Sequence, residues 1–305
     1  MNPNLQVELA GLRLKNPVLA ASGTFAYGVE VSELVDLNRL GGVVVKSLSA
    51  RPLEGAAPPR LCETPAGMLN AVGLENIGVE RFLAEKLPAL RRFDTAVIAS
   101  VFGGTVEEYV EVIERLNPAE GIAAYELNVS SPNALQGGMH FGADPDLLGE
   151  VVGAAKRAAR RPLIVKLTPN VADIGEFARI AEAAGADALS LINTLKAMAI
   201  DLPHRRSRLG RLMGGLSGPA IKPIALGMVW EAAHAVRIPV IGMGGISTGG
   251  DAAEFLVAGA RAVEVGTASF LQPFAPIRII EELETYCRVN KIGAVSELYD
   301  TLERN

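Results

Sequence analysis

Apolar positions along the chain gather into eight short runs, each closed by glycine, proline or a polar residue. They are PVLAA (17–21), GVVVKS (42–47), TAVIASV (95–101), IAAYELN (122–128), LIVKLT (163–168), DALSLIN (187–193), PVIGM (239–243) and AVEVG (262–266). None alternates apolar with polar residues, so each predicts a strand buried on both faces. Helical patterns lie between them. Thr105 and Glu108 stand at capping-box spacing ahead of one, Asp173 and Glu176 ahead of another, and Gly185 falls where a helix C-terminus favours a left-handed residue. Eight buried strands alternating with helices predict an α/β fold: a (β/α)8 TIM barrel, residues 1–305 forming one domain, with a doubly wound open sheet as the rival.

Two connections exceed turn length. Residues 48–78 follow the second strand and 194–217 follow the sixth, and both are expected as long loops at the C-terminal face, where such barrels place their active sites. The strand exits on that face read ASG, KS, SVFGG, NVSSPN, KLTPN, INT, GMGG and VGT. This is a polar, small and glycine-rich collection that a purely structural barrel does not need. Lys46 and Lys166 end apolar runs in a chain with eight lysines against twenty-one arginines. A desolvated ammonium there calls for an anion, either a ligand or, in the blander reading, the strand-borne Glu126. Gly244, Gly245 and Gly266, with Gly218 upstream, predict a phosphate cradle in which backbone N–H groups and the following helix N-terminus meet negative charge. Asn70, Asn128, Asn133 and Asn193 supply amide donors and acceptors suited to a neutral, amide-rich ring.

Composition narrows the partners. A net charge of −5 argues against nucleic acid and anionic membrane, leaving a small molecule. Cys62 and Cys287 match no metal or redox spacing, so no metal site and a reducing, cytoplasmic setting are expected. The N-terminal stretch has no signal-peptide pattern, and no membrane span is expected.

The motifs ASGTFAYG, VVVKSLS, NAVGLENIG, ELNVSSPN, VKLTPN, LINTLKAMAID, GGLSGPAIKP, GMGGIS and VGTASF resemble, in order, those of the dihydroorotate dehydrogenases, flavin enzymes of pyrimidine (UMP) biosynthesis. The GLSGPAIKP form is similar to the class 1B catalytic subunit. The resemblance implies one FMN per chain, its phosphate on Gly244, Gly245, Gly266 and Thr267 beside Gly218. It places Lys166 at the flavin pyrimidine edge and Ala21, Ser22, Ser47, Ser100, Asn128 and Ile192 along the ring and ribityl chain. Lys46 touches flavin and substrate, while the four asparagines, Thr194 and the backbone of Asn70, Ala71, Val72, Gly73 and Leu74 hold orotate. It further implies a homodimer core, or a heterotetramer with a separate subunit carrying FAD and a [2Fe-2S] cluster.

The reaction so implied passes the C5 proton of dihydroorotate to Ser131 and hydride from C6 to FMN. Class 1 members of the family carry Cys at that position and the membrane-associated class carries Ser, so the chain departs from its own class at the base. Residues 134–143 are expected to form a lid. Two rivals stand beside this reading. One is a dihydropyrimidine (uracil) dehydrogenase type, whose loop carries His where this chain has Asn133. The other is a barrel binding a phosphorylated ligand without catalysis.

Overall fold

In the computed structural model, which describes residues 2–131 and 139–303, eight parallel strands close on themselves. They are β1 (Val18–Ala20), β2 (Gly42–Val44), β3 (Ala96–Val101), β4 (Ala124–Asn128), β5 (Leu163–Lys166), β6 (Ala188–Leu191), β7 (Val240–Met243) and β8 (Ala262–Val265). Each pairs with its neighbour in chain order, and β8 returns to β1 through Val263 opposite Val18 and Val265 opposite Ala20. The predicted barrel is the observed one, and the open sheet is excluded. Every strand is shorter than its apolar run. The β6–β7 ladder ends at Leu191 opposite Gly242, so the residues that follow leave the sheet and turn toward the barrel mouth.

The helices follow their apolar spacing. Val106–Leu116 buries Tyr109, Val112, Ile113 and Leu116, one stripe at helical period. Thr105 caps it by accepting the Glu108 N–H, but the Glu108 carboxylate takes the Gly104 N–H. Asp173 caps Ile174–Ala183 through the Glu176 N–H, and Gly185 follows with φ of 103°.

Two features depart from the sequence reading. A hairpin, Val7–Leu9 with Leu12–Leu14, precedes β1, its turn formed by Ala10 and Gly11 at φ of 49° and 81°. Positive φ at both turn residues matches the right-handed twist of the strands. The two long connections are not loops throughout. Their segments Leu195–Ala197, Gly214–Ser217, Gly67–Asn70 and Leu61–Thr64 build one antiparallel sheet in that order. A small separate core of Cys62, Leu69, Ala71 and Leu209 lies under it.

Leu69→Ala removes a fully buried side chain of this small core. We expect a loss of about 2–5 kcal/mol in denaturant unfolding, together with faster proteolysis within residues 48–78 while the barrel stays folded.

Candidate active site

The C-terminal ends of the strands and the antiparallel sheet enclose a cleft of about 1220 Å³ including its open mouth. From β1 come Ala21 and Ser22, from β2 Lys46 and Ser47, and from the mouth sheet Asn70, Val72, Gly73 and Leu74. Asn128 ends β4 and Ser131 follows it, Lys166 ends β5, and Ile192, Asn193 and Thr194 follow β6. Gly218, Gly244, Gly245, Gly266 and Thr267 close the far wall. Two residues expected at the ligand do not line the cleft. Ala71 packs in the small core, and Ser100 lies behind Ser47, sharing a 2.9 Å hydroxyl hydrogen bond with it. Asn133 and the first part of the expected lid lie outside the described residues, while Met139–Ala143 form a short helix.

The asparagines are held before any ligand arrives. The Asn128 amide donates to Ser47 Oγ at 2.9 Å, and its Oδ1 accepts from Ser130 Oγ at 3.2 Å. Asn193 Nδ2 donates to the same Ser130 oxygen at 2.9 Å. Ser130 therefore ties two cleft-lining amides together, and Ser131 lines the cleft beside them. The Asn70 amide donates to Gly215 O at 3.2 Å. A clamp missed in the sequence is Asn76, whose amide donates to Ser49 Oγ at 2.8 Å and Leu74 O at 2.9 Å and whose Oδ1 accepts the Gly78 N–H at 2.8 Å. It fixes the Asn70–Leu74 segment onto the exit of β2.

The two lysines differ. Lys166 Nζ stands 3.6 Å from Glu126 and 3.7 Å from Glu264, all three buried. Burial works to lower its pKa, and the two carboxylates more than reverse that. The expectation that Lys166 needs an external anion is thus corrected, because the barrel supplies the counter-charge. Glu264 was hidden in an apolar run, although a charge inside a buried strand is itself the signal. Lys46 has no carboxylate within ion-pair distance among the described residues. Burial pushes its ammonium below the ordinary lysine value, opposed in part by Glu75, which is itself paired with Arg60.

The glycines also divide. Gly244 and Gly245 have φ of 123° and 78°, and a Cβ on Gly245 would stand 2.8 Å from Lys222 Cβ and 2.9 Å from Gly218 O. The backbone itself demands glycine there. A Cβ on Gly266 would meet nothing closer than 3.7 Å, its neighbours being Ala21 and Thr24, in an ordinary backbone conformation, and Gly266 itself lines the cleft. The start of the helix Gly249–Val257 is met by a carboxylate of the chain itself. Its own Asp251 takes the Ser247 and Thr248 N–H groups at 2.9 Å and pairs with Lys222 at 2.6 Å.

A family model described as dihydroorotate dehydrogenase matches residues 4–286. A protein of Solibacter usitatus provisionally named dihydroorotate dehydrogenase A (fumarate) is 62% identical over 99% of this chain and 100% of its own. The dihydroorotate dehydrogenase B (NAD(+)) catalytic subunit of Geobacter sulfurreducens is 54% identical over 99% of both chains. The solved structure of DHODH in complex with ferulenol from Eimeria tenella has a TM-score of 0.85 at 22% identity, covering 98% of this chain and 89% of that one.

The two kinds of glycine make a stability prediction. Gly245→Ala should lower unfolding free energy by about 1–3 kcal/mol, and Gly266→Ala should leave it within about 0.5 kcal/mol of the parent in the same denaturant titration.

Proposed function

The chain belongs to the dihydroorotate dehydrogenase family, and from that premise we propose that it oxidises dihydroorotate to orotate in pyrimidine biosynthesis with a bound FMN. The observation that carries the reading is Lys46, a desolvated ammonium without an ion-pair partner among the described residues, set in a cleft with braced amides on one wall and a glycine cradle on the other. An anionic ring compound and a phosphorylated flavin together meet those demands. The space a Cβ would fill at Gly266 fits close approach of a phosphate or ribityl group to the backbone.

When bound, FMN supplies the hydride acceptor. Gly218, Gly244, Gly245, Gly266 and Thr267 hold its phosphate. Ala21, Ser22, Ser47, Asn128, Lys166 and Ile192 line its ring and chain. Lys46 meets the substrate carboxylate, and Asn70, Asn128, Asn193 and Thr194 orient the dihydropyrimidine ring without placing charge beside the hydride donor. Asn133 joins them in the family pattern. Ser131 takes the C5 proton. An alcohol is a far weaker base than a thiol, so the cationic Lys46 and a water path out of the cleft assist the transfer.

The class 1B resemblance and the name of the Geobacter relative support reoxidation by NAD through a second subunit carrying FAD and [2Fe-2S]. The two cysteines of this chain, Cys62 and Cys287, are both buried and far too few for such a cluster. The name of the Solibacter relative supports direct reoxidation by fumarate instead. The readings separate when protein reduced anaerobically by dihydroorotate is challenged in turn with NAD, fumarate and a quinone. Dihydrouracil tried as reductant distinguishes the uracil-type rival.

Ser131→Ala should retain FMN but slow flavin bleaching by dihydroorotate at least about a hundredfold in stopped flow; bleaching at the parent rate removes Ser131 from the reaction. Ser131→Cys brings in a thiol with a reference pKa of about 8.5, and the rising limb of the rate profile should move to lower pH. Gly266→Ala should weaken FMN retention in ultrafiltration without changing the melting temperature.

A further inference from the structure

One layer below the mouth, the barrel interior holds a charge cluster that the proposed reaction uses only in part. Glu126 on β4, Lys166 on β5 and Glu264 on β8 converge there, with Ser190 of β6 beside them. Their side chains are 1%, 6% and 0% exposed for Glu126, Lys166 and Glu264. Only one of the four carboxylate oxygens has a hydrogen-bond donor: Glu126 Oε2 accepts from Ser190 Oγ at 3.0 Å. Glu126 Oε1 and both oxygens of Glu264 have none among the described residues. The other four strands, β1, β2, β3 and β7, bring no titratable side chain. Lys46 and Glu75 lie above, in the cleft.

One ammonium facing two carboxylates leaves a net negative charge sealed inside the barrel, which burial makes costly. A single proton shared into the cluster removes it. Glu126 keeps the hydroxyl donor that favours an ionised carboxylate, so the proton belongs on Glu264. Burial, then the neighbouring Glu126, drive the Glu264 carboxyl well above the ordinary glutamate value, and Lys166 offsets this only in part. Glu264 and Lys166 both line the cleft.

Building on the flavin reading, we propose that Glu264 is a positioning residue held as a neutral carboxylic acid, so that Glu126 alone balances Lys166 and no net negative charge lies below the cleft. With the proton present the cluster is neutral. Its loss as pH rises through the raised Glu264 value leaves one negative charge under the site where reduction adds electron density. A phosphorylated flavin then binds less tightly and becomes harder to reduce. Glutamine at 264 keeps the neutral shape and removes the titration.

The test compares the purified full-length protein with Glu264→Gln and Glu126→Gln. Infrared spectra of the parent should contain a protonated carboxylic acid C=O band from the protein interior. That band should vanish in Glu264→Gln, and also in Glu126→Gln, where Glu264 becomes the only counter-charge and must ionise. FMN dissociation constants and flavin midpoint potentials should coincide for parent and Glu264→Gln at acid pH and diverge at alkaline pH. There the parent should bind FMN roughly tenfold more weakly, the size expected of one unit charge acting across several ångströms of protein. A band that persists in either variant, or parallel pH curves for parent and Glu264→Gln, overturns the proposal. A protein that takes up no flavin defeats the cofactor reading instead, and the infrared band then decides the place of the proton by itself.

Discussion

An ammonium at the centre of a closed apolar barrel is tolerable only where the barrel itself returns the charge, and the cluster of Lys166 with Glu126 and Glu264 does so, one ionised carboxylate being enough to balance it. The three residues come from strands that are not all neighbours, since β8 reaches the cluster from across the barrel. Closure is therefore what assembles them. Were the sheet open, Glu264 would lie several strands from Lys166, and the lysine would face solvent or lose its proton. The apolar strands supply the stability and the closure, and the closure in turn permits a buried polar layer to sit directly under the mouth.

Because Lys166 is already balanced, the electrostatic demand of the cleft falls on Lys46. It is half-buried and its pKa is lowered by burial, and the carboxylate that opposes this, on Glu75, is engaged by Arg60. An arriving anion thus gains a charge partner whose counter-ion has been withheld, and it restores that partner toward its ordinary basicity. The division is physical: one cation is fixed and internally neutralised, the other lines the cleft with no carboxylate within ion-pair distance among the described residues.

The barrel was legible because strands buried on both faces must be almost continuously apolar, and the chain holds eight such runs. The mouth sheet was not. Its strands are three or four residues long, and Asn70 meets Gly215 across 145 positions of sequence, so only tertiary closure brings them together. At the site, Lys46 and the glycine loops could be read from type and position. Glu264 stands inside AVEVG, a run otherwise apolar. Ser100 and Ala71, implied at the ligand by the resemblance, stand behind the cleft lining, Ser100 on Ser47 and Ala71 in the small core, since a motif match does not separate a residue that lines a cleft from one that supports its neighbour. Nor could spacing distinguish Ser130 from Ser131, since that depends on which hydroxyl the turn directs toward Asn193.

Were Ser131 the base, as proposed, an alcohol would do work for which a thiol is chemically easier, and its surroundings would have to compensate. The hydrogen-bonded series Ser100, Ser47, Asn128, Ser130 and Asn193 ties the exits of β2, β3, β4 and β6 into one braced unit. Each amide at the cleft has lost its freedom to rotate before substrate binds, so the ordering entropy of recognition is already spent in folding. A ring held by such a frame presents its C–H bonds in fixed geometry, and orientation of that kind recovers much of what a weak base lacks. Ser130 is the shared node of that frame. Removing its hydroxyl takes the acceptor from Asn193 Nδ2 and leaves Asn128 Oδ1 with only the Ser130 N–H, at 3.4 Å.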